Sequence, residues 1–256
     1  MKNVERLRVL NAPVDVLTMN KAIDCACELA KDHSNISYIV AVNPEKTYAM
    51  KESEVIRDFI EKADLVIPDG IGIVFGAKML CNRRLERVAG ADLMQEICRV
   101  SGEQNLKIFI YGAKEEVNAG AVQKLQERHS NIQIVGRANG FVKAENMNEL
   151  VERINASQAD ILFLALGSPK QENWMNEYGP KLNVGACMGI GGTLDTIVGT
   201  VKRAPDFYQK IHLEWFYRLA KQPSRFWRQR RVFFFGFAVL AAKIKKITMC
   251  HRQENE

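Results

Sequence analysis

The sequence predicts an α/β protein in which a doubly wound, largely parallel sheet is followed by a C-terminal helical appendage. Short β-branched runs alternate with amphipathic stretches over about 180 residues, which is typical of strands joined by crossover helices. Several of the runs are apolar on both faces, as strands covered on both sides by helices are. Pro205 and Pro223 then interrupt a basic, aromatic-rich tail and set it apart from the sheet.

The individual elements follow one another along the chain in this alternating order. The strand-like runs are 37–42, 64–67, 107–111, 131–135, 160–166 and 184–188, and the helical patterns are 18–31, 53–62, 90–100, 114–129, 145–157 and 171–178. Thr18 stands where a helix N-cap belongs. The order predicts a Rossmann-like α/β domain over residues 1–202 and an appendage over 203–256, with helices near 206–221 and 225–247.

Composition indicates an ordinary globular body. The chain has 256 residues, 47% of them hydrophobic and 26% charged, which is enough for one sizeable core and excludes wholesale disorder. Its first residues are polar and lack the apolar core of a signal peptide. The six cysteines show no CxxC pair and are most simply reduced thiols. We therefore expect a cytoplasmic protein.

The appendage predicts an anionic and partly apolar partner. Residues 203–256 carry 12 Lys+Arg against 4 Asp+Glu and hold 11 of the 21 aromatic residues. Such a tail suits a phospholipid surface, a lipid pyrophosphate or a nucleic acid. Its longest apolar run, 232–242, would form a helix of about 16 Å, too short for a hydrocarbon core of about 30 Å. Arginines and lysines flank it, which favours a helix lying in the membrane interface over a core helix with a charged rim.

Distinctive residues follow four of the predicted strands. In a doubly wound sheet ligands bind beyond the carboxyl ends of the strands, so chemistry is expected there. The four segments are Asn43-Pro-Glu45, Pro68-Asp-Gly-Ile-Gly72, Gly167-Ser-Pro-Lys-Gln171 and Gly189-Ile-Gly-Gly-Thr193. Asp69 is placed to act as a general base, although an N-cap aspartate fits the spacing equally well.

The two later segments suggest nucleotide binding. Glycine-rich turns at strand ends present backbone N–H groups that suit a phosphate, and the alternative is a pair of plain capping turns. This interpretation makes Gly189, Gly191 and Gly192 candidate ligand contacts. The side-chain amide of Gln171 suits a sugar hydroxyl or a phosphate.

Several motifs are absent from the sequence. Gly70, Gly72 and Gly76 do not form a dinucleotide fingerprint, no DxD motif is present, and no His/Cys/Asp cluster has metal-ligand spacing. We therefore expect neither a cofactor nor a metal. A departing diphosphate would then need fixed cations, and the appendage offers Arg218, Arg225 and Arg228.

Taken together, the motifs resemble one enzyme family. The four strand-end segments, Arg87-Val-Ala-Gly-Ala-Asp92, Lys202-Arg-Ala-Pro205, Glu214-Trp-Phe-Tyr-Arg-Leu219 and Pro223-Ser-Arg-Phe-Trp-Arg228 resemble those of the WecG/TagA/CpsF glycosyltransferases, in the same order from about residue 5 to residue 245. The resemblance makes 1–202 a catalytic domain. It gives 203–256 the roles of contacting the inner face of the cell membrane and completing the active site.

The resemblance also implies a reaction. An inverting, metal-independent enzyme would move N-acetylmannosamine from its UDP donor to the 4-hydroxyl of N-acetylglucosamine on undecaprenyl pyrophosphate, as in wall teichoic acid linkage-unit synthesis. Asp69 matches the proposed catalytic base, while Asn43, Arg87 and Gln171 match active-site positions. Arg218, Arg225 and Arg228 match arginines that close over the donor pyrophosphate. Ala41 stands where relatives often carry threonine, and other relatives use ManNAc uronate or glucose, so the motifs leave the donor sugar open.

Two other classes compete with this interpretation. A nucleic-acid-binding protein would use the basic, aromatic tail but leaves the strand-end motifs unexplained, so we expect no nucleic-acid partner. A nucleotide-dependent oxidoreductase or a plain nucleotide-binding module is disfavoured by the missing fingerprint. The sequence leaves open whether the chain forms a homo-oligomer.

Overall fold

The computed structural model describes residues 4–201, Pro205, Tyr208 and 226–253, with side chains in the last range described for 230–246 and 248. Its centre is a six-stranded sheet in the order β4-β3-β8-β7-β5-β6, in which every neighbouring pair is parallel. The strands are β3 (Ser37–Val42), β4 (Leu65–Pro68), β5 (Lys107–Gly112), β6 (Gln133–Ala138), β7 (Ile161–Ala165) and β8 (Ala186–Gly189). The predicted parallel sheet is confirmed.

Helices cover both faces of this sheet. They are α1 (Met19–Lys31), α2 (Pro44–Glu52), α3 (Glu54–Glu61), α4 (Ile71–Cys81), α5 (Gly90–Ser101), α6 (Glu115–Arg128), α7 (Met147–Ala156), α8 (Lys170–Tyr178), α9 (Thr193–Val198) and α10 (Phe226–Gln253), with short 3-10 turns at Ala144–Asn146 and Gly179–Lys181. Thr18 is the N-cap of α1 and accepts a hydrogen bond from the N–H of Lys21 at 3.3 Å, as predicted.

The two faces bury separate cores because alternate residues of a strand point to opposite sides. Val40 and Val42 of β3 pack with α2, α3, α4, α7 and α8, whereas Ile39 packs with α1, α5, α6 and α9. All five residues of β7 are buried, as befits a strand covered on both sides. The doubly wound α/β architecture is thereby confirmed.

Some elements differ from the sequence prediction. A two-stranded antiparallel hairpin, β1 (Arg6–Val9) and β2 (Ala12–Asp15), precedes the sheet and was not predicted. Helix α2 was also missed, although Asn43 as N-cap and Pro44 at the first position are its start signals. Strand β6 lies about two residues later than expected, next to an irregularity in its register with β5.

The described part of the appendage packs on the domain. Helix α10 lies against α2 and α4, with Phe235 and Val239 fully buried. A Cβ built on Gly76 would lie 3.4 Å from Phe235 Cζ and 3.5 Å from Val239 Cγ2. The missing side chain at Gly76 therefore lets α10 pack closely against α4. The contact is completed by an ion pair between Arg231 and Glu52 at 2.6 Å. Most of the predicted helix near 206–221 lies outside the described residues.

A second face of α10 is exposed. Phe233, Phe237, Leu240 and Ile244 recur at helical spacing and are 45–69% exposed, on the side away from Phe235 and Val239. Arg230 and Lys245 are also exposed on this helix. No helix among residues 4–201 and 226–253 is long and apolar enough to cross a bilayer.

Candidate active site

Parallel strands bring the predicted site residues to a single edge of the sheet. β3 lies between β4 and β8, and β8 is followed by β7, so the four motif-bearing strands are consecutive neighbours. The N–H of Asp69 donates to the carbonyl of Val42 at 2.8 Å, which sets Asp69 directly beside Asn43. This carboxyl edge is where the sequence places its chemistry.

Asn43 begins helix α2 as its N-cap. Its Oδ1 accepts a hydrogen bond from the N–H of Lys46 at 2.9 Å, and its backbone carbonyl accepts from Thr47 Oγ1 at 3.0 Å. The side-chain oxygen is therefore used within the fold. The amide nitrogen is the group through which Asn43 can contact a ligand.

Asp69 directly follows β4 in the chain and lies next to the start of α5 in space. The N-cap of α4 is Gly70, at φ +93°, so the alternative that Asp69 is that N-cap is wrong. A side chain at position 70 would be strained at this φ, which explains the glycine. The Oδ2 of Asp69 lies 4.0 Å from the point where a Cβ on Gly90 would stand. Asp69 is half-buried at the edge of the sheet, a position open to a general base.

Arg87 and Ala41 border the same place. The segment that carries Arg87 is tied to the end of β4 by a 3.0 Å hydrogen bond from the N–H of Val88 to the carbonyl of Pro68. The guanidinium of Arg87 lies 3.8 Å from Asp92 Oδ2, and the Arg87 side chain is 16% exposed. The Cβ of Ala41 lies 3.1 Å from the point where a Cβ on Gly90 would stand, so its methyl group faces the start of α5 near Asp69.

Gln171 joins two of the motif segments. Its side-chain Oε1 accepts a hydrogen bond from the N–H of Gly191 at 3.2 Å, and its backbone N–H donates to the carbonyl of Gly167 at 2.9 Å. A Cβ on Gly189 would lie 2.2 Å from Gln171 Nε2, so only glycine leaves room for this amide. The N–H of Gly191, expected to face a phosphate, is used by Gln171 in this conformation, while Gly192 is exposed as the N-cap of α9.

Sequence reasoning missed a buried ion pair behind Gln171. The Nζ of Lys46 lies 2.7 Å from Oε1 of Glu172, and the two side chains are 8% and 1% exposed. Burial raises the pKa of Glu172, but the charge and hydrogen bond of Lys46 outweigh it, so that the pKa is lowered from its ordinary value. The pair is 126 residues apart in sequence, and only the position of Glu172 directly after Gln171 hinted at it.

None of the three arginines predicted to bind the donor pyrophosphate has a described side chain. Arg218 and Arg225 lie outside the described residues, and only the backbone of Arg228 is described, in the first turn of α10. Their role remains a prediction. Among the residues that the structure covers, no group of three His, Cys, Asp or Glu side chains is arranged to hold a metal ion.

A cleft of about 370 Å³ opens at the far side of the same edge, beyond β6. Asn139, Phe141, Val142 and Arg153 are among the residues that line it. An adjoining cleft is lined by Arg137 and Glu115, which form an ion pair at 2.6 Å. Phe141 is 72% exposed.

The order of these motifs matches a known enzyme family. The sequence profile of the glycosyl transferase WecG/TagA/CpsF family matches residues 7–249. The chain belongs to this family. As a member of the WecG/TagA/CpsF family it is a glycosyltransferase, and the resemblance drawn from the motifs is confirmed.

One relative of this chain has a named activity. The N-acetylglucosaminyldiphosphoundecaprenol N-acetyl-beta-D-mannosaminyltransferase of Bacillus subtilis (strain 168) is 33% identical over 218 residues, which cover 85% of this chain and 84% of the relative. The family profile, at residues 7–249, covers the whole six-stranded sheet and most of the appendage.

Proposed function

We propose that this glycosyltransferase moves N-acetylmannosamine from UDP-N-acetylmannosamine to the 4-hydroxyl of N-acetylglucosamine on undecaprenyl pyrophosphate, as in the linkage unit of wall teichoic acid. The observation that carries the proposal is the 33% identity with the Bacillus subtilis enzyme, whose name states this donor sugar and this acceptor. The meeting of Asn43, Asp69 and Gln171 at one edge of the sheet supports a single site for it.

In the proposed mechanism Asp69 is the general base. Its carboxylate takes the proton of the acceptor 4-hydroxyl while that oxygen attacks the anomeric carbon from the face opposite UDP, which inverts the configuration. Asp69 is half-buried and therefore partly accessible to an acceptor, and its neighbour Gly70 has no side chain to cover it. In this mechanism Asn43 and Arg87 contact the sugars.

Negative charge develops on the UDP diphosphate as it leaves. We propose that Arg218, Arg225 and Arg228 meet that charge, together with the backbone N–H of Gly192, the exposed N-cap of α9. Fixed guanidinium groups suit phosphate oxygens in two-point contacts, and they stabilise a transition state best when water is excluded. No metal takes part in the proposed step.

The proposed location is the inner face of the cell membrane. Helix α10 presents Phe233, Phe237, Leu240 and Ile244 to the outside, while its other face holds the domain through Phe235 and Val239. A stripe of this kind inserts into the headgroup region, and lysines and arginines beside it contact anionic lipids. This arrangement would bring the site to a lipid-linked acceptor.

The reaction is tested by measuring UDP release in metal-free buffer. A panel of UDP-sugars is offered with and without a lipid-pyrophosphoryl-N-acetylglucosamine analogue. We expect acceptor-dependent release from UDP-N-acetylmannosamine. Release only from the UDP donors of ManNAc uronate or glucose would keep the mechanism and assign the chain to another polymer, and release from no donor would overturn the proposal.

Membrane contact is tested separately by flotation with vesicles that contain anionic lipid. We expect Phe237→Ser/Ile244→Ser to lose flotation, because it replaces apolar side chains on the exposed face of α10. Phe141→Ser is the matched control, since Phe141 is equally exposed but lies beyond β6. Equal flotation of all three proteins would contradict a role for α10.

A further inference from the structure

We propose that Lys46 and Glu172 are positioning residues of the transfer reaction, which together fix the side-chain amide of Gln171 for the sugar substrate. This inference rests on the proposed function. It assigns a role to a buried pair that lies behind the site and that the mechanism above does not use.

The contacts form one continuous path across the carboxyl edge. Lys46 Nζ donates to Glu172 Oε1 at 2.7 Å, and Gln171 Nε2 donates to the same oxygen at 3.3 Å. The Oε1 of Gln171 in turn accepts from the N–H of Gly191 at 3.2 Å. The path therefore links the segments that follow β3, β7 and β8 through side chains that are all less than a tenth exposed.

The path decides which way the Gln171 amide faces. A carboxylate only accepts hydrogen bonds and a backbone N–H only donates them, so Glu172 requires the amide nitrogen and Gly191 requires the amide oxygen. A flipped amide would set two acceptors together at Glu172 and two donors together at Gly191. Lys46 keeps Glu172 ionised and in place, and its own helix, α2, has as its N-cap Asn43, next to Asp69.

One N–H of the Gln171 amide is thus used by Glu172, and we assign the second to the sugar. Lys46 and Glu172 act through Gln171 and do not contact the substrate. The misplacement of one contact by about 1 Å costs up to about 100-fold in rate, so a loosened amide has a measurable effect.

Two double variants test this role, and they differ in one property. Lys46→Met/Glu172→Met removes both charges and the acceptor at 172, whereas Lys46→Met/Glu172→Gln removes the charges but keeps an amide oxygen that can accept from Gln171. We expect kcat/KM to fall about 10- to 100-fold in the first variant and to recover most of that loss in the second. Equal activity of the two variants at equal melting temperature would overturn the proposal.

The control pair lies at the other edge of the sheet. Arg6 Nε lies 2.6 Å from Oδ1 of Asp15, whose side chain is 2% exposed, and Arg6 also donates to the carbonyls of Ala63 and Asp64 before β4. We expect Arg6→Met/Asp15→Asn to change the melting temperature without changing kcat/KM of the folded protein. If Lys46→Met/Glu172→Met does not fold, Lys46→Glu/Glu172→Lys replaces it, because this exchange keeps opposite charges but puts a donor at 172.

A readout independent of turnover separates this proposal from the proposed function. In protein with 15N-labelled glutamine and glycine, the side-chain amide signals of Gln171 should shift and the amide of Gly191 should exchange faster in Lys46→Met/Glu172→Met than in the wild type. The Arg6/Asp15 variant should leave both unchanged. Unchanged Gln171 and Gly191 signals would overturn the positioning role even if no donor supports transfer by the wild type.

Discussion

Three matched sets of residues stand at opposite edges of the six-stranded sheet. Asp64 and Asp69 bracket β4, Gly185 precedes β8 while Gly189 is its last residue, and each edge has an ion pair with a buried carboxylate. At the amino edge the carboxylates support the backbone, since Asp64 accepts from the N–H of Tyr38 at 2.9 Å and Asp15 from that of Val66 at 2.7 Å.

At the carboxyl edge, carboxylates lie against other side chains. Glu172 accepts from Lys46 and Gln171, and Asp69 lies beside the starts of α4 and α5 without being the N-cap of either. One edge therefore holds strands together, and the other holds the side chains of the candidate site. The comparison teaches that the position of a buried carboxylate in a parallel sheet says more about its role than its burial or its charge.

The aspartates that bracket β4 give the largest expected contrast. Asp69→Asn keeps the shape of the side chain but removes its basicity, and we expect turnover to fall about 10²- to 10⁴-fold. Asp64→Asn keeps an acceptor for Tyr38 and should leave turnover unchanged. Steady-state UDP release measures both, and normal turnover of Asp69→Asn would remove it from the role of base.

The two ion pairs should differ in stability when one partner is removed. Lys46→Met leaves the carboxylate of Glu172 buried without its cation and should lower the free energy of unfolding by about 3–5 kcal/mol. Arg6→Met should cost less, because Arg6 is a third exposed and Asp15 keeps the N–H of Val66. Urea denaturation measures the difference. Equal losses would mean that the backbone hydrogen bond does not protect Asp15.

The glycines at the two ends of β8 separate activity from stability. A Cβ on Gly185 would lie 2.2 Å from the carbonyl oxygen of Ala30, so Gly185→Ala should destabilise by about 1–3 kcal/mol and leave the rate of the folded protein intact. A Cβ on Gly189 would meet Gln171 Nε2 at the same distance, and that side chain can move aside. Gly189→Ala should lower kcat/KM about 10- to 100-fold at little cost in melting temperature.

The smallest expected effect is a pH dependence. The pKa of folded Glu172 lies below its ordinary value of 4.5, so its contribution to stability is present above pH 4.5 and is lost as pH falls through the lowered pKa. The stability difference between the wild type and Lys46→Met/Glu172→Met should therefore shrink on going from about pH 6 to about pH 3. A difference that stays constant over this range would show that Glu172 is not held ionised by Lys46.

Local patterns were enough to predict most of the sheet and its helices. Apolar runs and caps act within a few residues, and Thr18 shows this well. The hairpin β1–β2 was missed because its strands have four residues each and are fixed by distant contacts, such as that of Asp15 with Val66. Local pattern does not encode such contacts.

The candidate site also combines features that local sequence patterns predict with features that they do not. Asn43, Asp69 and Gln171 follow strands, so sequence alone predicts their meeting at one edge. Gln171 is buried beneath Gly189, and Lys46 contacts Glu172 across 126 residues of sequence. Both contacts depend on how α2 and α8 pack. No local signal records that packing.

The position of β8 in the sheet determines when the strand ends that carry the motifs can meet during synthesis. This strand pairs with β3 on one side and with β7 on the other, yet it is the last of the six to leave the ribosome. Until it is in place, β3 and β4 form one fragment with Asn43 and Asp69, and β5, β6 and β7 form another with Gln171. Long-range pairing of this kind forms slowly. A chain interrupted before residue 186 therefore lacks the strand that holds these two groups of strand ends side by side.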